Sequence, residues 1–263
     1  MLASGDAQAP GAPAEQRRRA GRPRLRPASN AGVPPREEIL DAAAELFVSQ
    51  GLAATTTRQI ADRVGIRQAS LYYYFAGKDE ILLELLTQSV RPSLQVAATL
   101  ETRCSGDPAA GLYALALIDV QTLRSAPHNI GTLYLMPEVQ GEEYASFRTE
   151  RAALQATYGR LGRAVVASGP AGSPDSAGGP DSADGLGEAL IGPLIMQVVE
   201  SVIQLRRTGE WRDDHAHQIA TSCLRLAGAR QEDIARARVR AAQLTAPDLA
   251  APGQTASGEA GTL

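Results

Sequence analysis

Two short helix signals hinged on one glycine dominate the chain: residues 56–78 read T-T-R-Q-I-A-D-R-V-G-I-R-Q-A-S-L-Y-Y-Y-F-A-G-K. Thr56 and Gln59 form a T-x-x-Q pair. The hydroxyl can accept from the Gln59 backbone N–H while the glutamine side chain reaches back to Thr56, a reciprocal cap that starts a helix. Ile60, Ala61 and Val64 give that helix an inward face. Gly65 stands where a left-handed residue ends it, and Ile66 and Arg67 turn the chain into a second helix. At about 100° per residue, Leu71 and Phe75 then share one side, and Ala69, Ser70, Tyr72 and Tyr73 occupy the opposite arc.

That arc is unusual for a surface, where Lys, Glu or Arg would be ordinary. Small residues let a backbone approach base edges, and phenol hydroxyls reach phosphates, so the arc fits a duplex-DNA reader. The same tyrosines would also serve as half-buried aromatics tying the helix to its neighbours. For Tyr74, nearer the buried side, both readings stand.

Residues 36 to about 86 resemble the DNA-binding region of TetR-type (TetR/AcrR) bacterial transcriptional regulators. The resemblance rests on R-E-E-I-L-D-A-A-A-E-L-F-V-S-Q-G for a first helix, T-T-R-Q-I-A-D-R-V-G-I for a second, and L-Y-Y-Y-F-A-G-K-D-E-I-L-L for a third running into a fourth. It implies an all-α fold, in which an N-terminal three-helix domain with a helix-turn-helix precedes a helical ligand-binding and dimerisation domain. It further implies a homodimer whose third helices enter successive major grooves of a palindromic operator, about 34–36 Å apart, and a small molecule that releases it. By position, Arg58, Gln68, Ala69 and Tyr73 are the base-contact candidates, and Ser70, Tyr72, Tyr74 and Lys78 the phosphate-contact candidates. Lys78 is the only lysine among 26 basic residues, placed where an ammonium and a helix N-terminus can hold one phosphate. Arg67 departs from the Ser or Thr of many relatives, which leaves the third helix without a side-chain cap: either Arg67 itself is a backbone-contact candidate, or this helix frays when free.

The net charge of −3 over 263 residues argues against a protein that coats nucleic acid everywhere, so binding must be local. Basic charge concentrates in R-R-R-A-G-R-P-R-L-R at residues 17–26. This stretch, flanked by Pro, Gly and Ala, suits a disordered arm over residues 1–34. Arg22 and Arg24 around Pro23 suit insertion into a narrow minor groove; a solubilising tail with unspecific phosphate attraction is the competing reading.

The DNA-binding domain is expected over 35–86 and the ligand-binding and dimerisation domain over 87–244. Within the latter, Pro92 is expected to bend the fourth helix. Further helices are expected from Pro108 to about Ser125, Glu142 to Ala167, Leu186 to Arg207, Asp213 to Ala227, and 231 to 244. Residues 168–185, rich in Gly, Pro, Ser and Asp, read as a flexible linker, and 245–263 as a disordered tail. Leu190, Leu194, Val198, Val202 and Leu205 form a stripe at three- and four-residue spacing. With the helix over 213–227 it is the candidate dimer surface. An effector pocket is expected among the middle helices, with Tyr113, His128, Tyr134, Met136, Phe147 and Met196 as candidate lining, although each also suits a plain core and His128 also suits a helix cap.

Neither a phosphate-binding glycine loop, a nucleophile elbow nor a zinc-protease motif occurs in the sequence, so no enzyme activity and no cofactor is expected. His215 and His217, two apart, point to different sides of a helix and make a poor metal pair. Cys104 and Cys223 lack metal-type spacing and read as structural thiols. The first thirty residues lack an apolar signal core, and no uninterrupted apolar run reaches the about 18 residues of a membrane span. A cytoplasmic, ligand-gated transcriptional regulator, most simply a repressor, is the expectation. The alternative is a ligand-independent DNA-organising or interaction protein using the same head.

Overall fold

The computed structural model describes residues 35–168 and 184–244, so the arm with Arg22 and Arg24, nearly all of the expected linker and the expected tail lie outside the described residues. Among the described residues the secondary structure is wholly helical. Helices α1 (Pro35–Gln50), α2 (Thr57–Val64) and α3 (Gln68–Tyr74) form the head. They close over Ile39, Phe47, Ile60, Leu71 and Phe75, all essentially fully buried. Burying a large apolar side chain contributes roughly 1.5–3 kcal/mol, which favours the packing of helices too short to be stable alone.

Helix α4 (Lys78–Arg103) leaves the head and runs on into the body. Pro92 lies on its solvent side and does not end it; the ring removes one backbone donor. Helix α5 (Pro108–Ser125) starts with proline in its first turn under an Asp107 cap, whose carboxylate accepts from the Ala110 N–H at 3.1 Å. Both devices suit a helix start. It is the central helix, with Leu112, Tyr113, Leu115, Ala116 and Val120 fully buried.

A 3-10 stretch, Pro127–Leu135, follows, and within it His128 (φ 56°) and Asn129 (φ 49°) both adopt left-handed backbone. The cap positions on either side of this stretch are Ala126 and Met136, and the His128 ring meets Asp41 of α1 instead. After a second 3-10 turn, Pro137–Gln140, the expected helix at Glu142 opens with a 3-10 turn over Glu142–Tyr144 and becomes α-helical as α6 (Ala145–Ser168). Helices α7 (Asp184–Thr208), α8 (His215–Leu226) and α9 (Gln231–Leu244) complete the body. Helix α8 starts two residues later than expected because the turn ahead of it is closed locally, His215 Nδ1 accepting from the Arg212 N–H.

Helices α6 and α7 meet backbone to backbone. A Cβ on Gly192 would stand 2.6 Å from the Gln155 carbonyl oxygen and 3.1 Å from Gly159 Cα, so glycine sets their separation. The segment Ala189–Thr208 of α7 is long and apolar enough to cross a membrane by composition, yet Ile195, Val199 and Val202 are fully buried inside the protein. The expected stripe along α7 divides. Leu190 and Leu194 are 42% and 47% exposed while Val202 is fully buried. Four-residue steps advance about 40° beyond a full turn each, so a row that starts on the surface rotates into the core.

Candidate nucleic-acid interface

The cap expected at the start of α2 is formed on both sides. The Gln59 N–H donates to Thr56 Oγ1 at 3.2 Å, and the Thr56 N–H donates to Gln59 Oε1 at 2.8 Å. At the other end Gly65 takes φ 76°, and the Ile66 N–H reaches back to the Ala61 carbonyl at 2.9 Å. These local bonds fix where α3 starts. Arg67 occupies its N-cap position and makes no side-chain cap bond.

Helix α3 is sharply two-sided. Leu71 and Phe75 are buried, whereas Gln68, Ala69, Ser70, Tyr72 and Tyr73 are exposed, Tyr73 at 86%. Tyr74 is half-buried, edge-on to Tyr73 with ring centroids 5.2 Å apart. Arg58 and Arg67 are exposed on the same head, Arg58 in an exposed pair with Asp62 at 3.8 Å. An exposed pair of this kind contributes little, so Arg58 is available to another partner. Lys78 turns inward. Its ammonium donates to the carbonyls of Leu52 at 2.9 Å and Thr55 at 3.2 Å, tying the start of α4 to the turn between α1 and α2. An ammonium has three donors, so one N–H remains.

Residue patterns alone miss the partner of the reading arc. Thr57, the residue after the cap, accepts from Gln68 Nε2 at 2.9 Å and lies 3.2 Å from the Tyr72 hydroxyl. Repetition of threonine at 55–57 was the only available signal.

The head is fastened to the body at several points. Arg36 of α1 pairs with Glu84 of α4 at 3.0 Å and lies over the Phe75 ring. The Tyr144 hydroxyl donates to Asp79 at 2.9 Å, and His128 Nε2 lies 3.0 Å from Asp41 of α1. His128 is thus a head contact. Asn129 donates to the Ile203 carbonyl on α7 at 2.9 Å. Two adjacent non-glycine residues held left-handed cost on the order of 1–3 kcal/mol each, which the contacts on either side offset.

Around Pro92 the body grips α4 through buried polar groups. Ser93 donates to Asp119 Oδ1 and Tyr158 to Asp119 Oδ2, both at 2.8 Å, and Ser89 lies 2.7 Å from the Tyr134 hydroxyl. Burial pushes the Asp119 carboxyl up to about 6, even though both hydroxyl donors oppose the rise. Burial likewise raises the Tyr134 and Tyr158 hydroxyls well above the ordinary phenol range. Arg151 lies 5.7 Å from the Tyr134 ring centroid and donates through Nε to Glu200 of α7 at 3.1 Å. A carboxylate inside the apolar run A-L-A-L-I-D-V was a visible signal for this cluster, since a buried charge demands partners.

The expected effector-pocket residues are differently placed. Tyr113, Tyr134, Phe147 and Met196 are packed in the core and Met136 is half-buried. Tyr134 and Phe147 are neighbours at 5.4 Å between ring centroids, but Tyr113 bonds to His217 Nδ1 at 2.9 Å and His128 faces the head. A cavity of about 350 Å³ lies elsewhere, lined by Asp107, Pro108, Val165, Arg230 and Arg236 among others, and none of the six lines it. Cys104 and Cys223 are both buried thiols, the latter pushed up to about 12 by burial.

A three-helix head with an exposed polar-aromatic arc, carried on a helical body, is the arrangement of a helix-turn-helix DNA-binding regulator. Residues 39–85 match the family model of bacterial regulatory proteins, tetR family. The structure is similar to that of Mycobacterium smegmatis AmtR, with 37% identity, a TM-score of 0.71, and coverage of 83% of this chain and 97% of that one. The chain belongs to the tetR family of bacterial regulatory proteins. The transcriptional repressor KstR2 of Mycobacterium tuberculosis is 53% identical over 51 residues, 19% of this chain and 26% of that protein. The match thus spans about a quarter of the length of that curated relative. A fold likeness at 18% identity and a TM-score of 0.56 links the chain to SmeT, solved as a complex with triclosan, over 76% of this chain and 93% of that one.

Proposed function

We propose that the protein is a cytoplasmic homodimeric repressor that lays two α3 helices into successive major grooves of a palindromic operator and releases them when a small molecule binds its body. The observation that carries the reading is the exposed arc of Gln68, Ala69, Ser70, Tyr72 and Tyr73 on a helix whose other side is sealed in the core. In this reading Arg58, Gln68, Ala69 and Tyr73 approach base edges. Arg67, Ser70, Tyr72, Tyr74 and the remaining Lys78 N–H hold phosphates, and Arg22 and Arg24 follow the adjoining minor groove. Self-pairing builds on α7, where Leu190 and Leu194 are exposed, with Leu226 the exposed large apolar residue of α8. The choice of the body as the ligand site follows the fold likeness to SmeT, which was solved as a complex with triclosan.

The test is selection of bound fragments from a random DNA pool at several salt concentrations, with sedimentation of the free protein. A two-fold symmetric motif bound by a dimer supports the reading, as does conversion of Leu194→Glu to a monomer that loses most of its operator affinity. A monomer that enriches no motif overturns it. The second reading, a DNA-organising protein without an effector, is favoured by the packing of Tyr113, Tyr134, Phe147 and Met196 into the core. Unchanged melting and unchanged operator affinity across a broad metabolite panel would select it.

A further inference from the structure

On the reading arc, Gln68, Thr57 and Tyr72 form a closed triangle. Gln68 Nε2 lies 2.9 Å from Thr57 Oγ1 and 3.4 Å from the Tyr72 hydroxyl, and the two hydroxyls lie 3.2 Å apart. Hydrogen supply orients the amide. The amide nitrogen brings two hydrogens and each hydroxyl brings one. With the nitrogen turned inward, its two hydrogens serve the two hydroxyl oxygens, one hydroxyl hydrogen joins those oxygens, and one is left over. With the amide oxygen inward, only two hydroxyl hydrogens would face three contacts, and one contact would be bare.

We infer that Thr57 and Tyr72 determine which base Gln68 reads: by occupying both amide hydrogens they leave only its carbonyl oxygen for the base edge, so the position opposite Gln68 is adenine or cytosine. Those bases present an exocyclic amine in the major groove, whereas guanine and thymine present acceptors that repel a bare carbonyl oxygen. A glutamine free to use both ends would instead select adenine through its paired donor and acceptor. Thr57 acts through Gln68 and is a positioning residue. The inference rests on the reading that α3 enters the major groove.

The experiment is fragment selection from a random DNA pool with the wild-type protein and with Gln68→Ala, Thr57→Val, Thr57→Ser and Tyr72→Phe, followed by affinity measurements on operators varied at single positions. Gln68→Ala identifies the half-site position that the residue reads. At that position the wild-type protein prefers adenine and cytosine over guanine and thymine by about fivefold or more, the lower end of what a base contact supplies. Thr57→Val removes that preference at the same position and leaves preferences elsewhere intact, and Thr57→Ser retains it. Tyr72→Phe weakens the preference together with overall affinity. A guanine or thymine preference at the Gln68 position overturns the inference, and so does a Thr57→Val protein whose preference is unchanged. A uniform affinity loss in Thr57→Val, equal for every base at every half-site position, marks a phosphate contact and also overturns it. If the wild-type protein enriches no motif at all, the DNA-reading assignment falls first and takes this inference with it; an enriched motif that Gln68→Ala leaves unchanged sinks this inference alone.

Discussion

Asp119→Asn is the sharpest probe of the grip that the body holds on α4. In the folded protein burial raises the Asp119 carboxyl from an ordinary 3.8 to about 6. At about 1.4 kcal/mol per pH unit, that difference is worth about 3 kcal/mol. Below about pH 4 the group is protonated in folded and unfolded chains alike, and its contribution to stability is fully present. Between about pH 4 and 6 the unfolded chain has released the proton while the folded one still binds it, so rising pH favours unfolding. Above about pH 6 both states are ionised and the loss is complete. Asparagine has no such titration, and subtracting its unfolding free energy from that of the wild-type protein cancels the other ionisable groups. Urea unfolding at fixed protein concentration, repeated from pH 4 to 8, gives the difference directly. It should move against the wild-type protein by about 2.5 kcal/mol across that window, on top of a constant offset from altered hydrogen bonding. A difference that stays level with pH would refute the argument that this carboxyl is desolvated between Ser93 and Tyr158.

Thr56→Ala removes the reciprocal cap of α2 and should cost about 1 kcal/mol, measured as a lower unfolding midpoint with faster amide exchange in the first turn of α2. Gly192→Ala places a methyl against the Gln155 carbonyl and Gly159, so α6 and α7 must part at a cost of about 1–3 kcal/mol; Gly106→Ala, which meets open space, is the control that should leave the melting temperature nearly unchanged. Lys78→Met keeps the apolar stem and removes the donor to Leu52 and Thr55. It should lower stability by about 1–3 kcal/mol and reduce the salt slope of DNA binding by about one, the first read by urea unfolding and the second by affinity at several salt concentrations.

What could be read from residue order was what depends on near neighbours. The Thr56–Gln59 cap, the left-handed Gly65 and the two faces of α3 each involve residues within a few positions, so propensity and periodicity suffice for them. The stripe from Leu190 to Leu205 was legible as an apolar row, but where it leaves the surface was not, because each four-residue step turns it by about 40° and packing alone decides which turn meets the core. His128 illustrates the harder case. Its left-handed backbone and its partner Asp41, 87 positions away, are set by the packing of α1 on the 3-10 stretch, which no local pattern encodes. Thr57 was legible as a helix residue, but its role against Gln68 and Tyr72 emerged only once two helices were folded together.

Helix α4 is unbroken from Lys78 to Arg103, and its fixed point near Ser89 and Ser93 lies well along its length. The distance from Pro92 back to Lys78 is about 21 Å at roughly 1.5 Å per residue. A pivot of only about 5° at that fulcrum would therefore swing the head end by about 2 Å over this helical rise. In the proposed dimer, two heads turning in opposite senses would double the mismatch, so a change too slight to disturb the core would still put the pair out of step with the DNA.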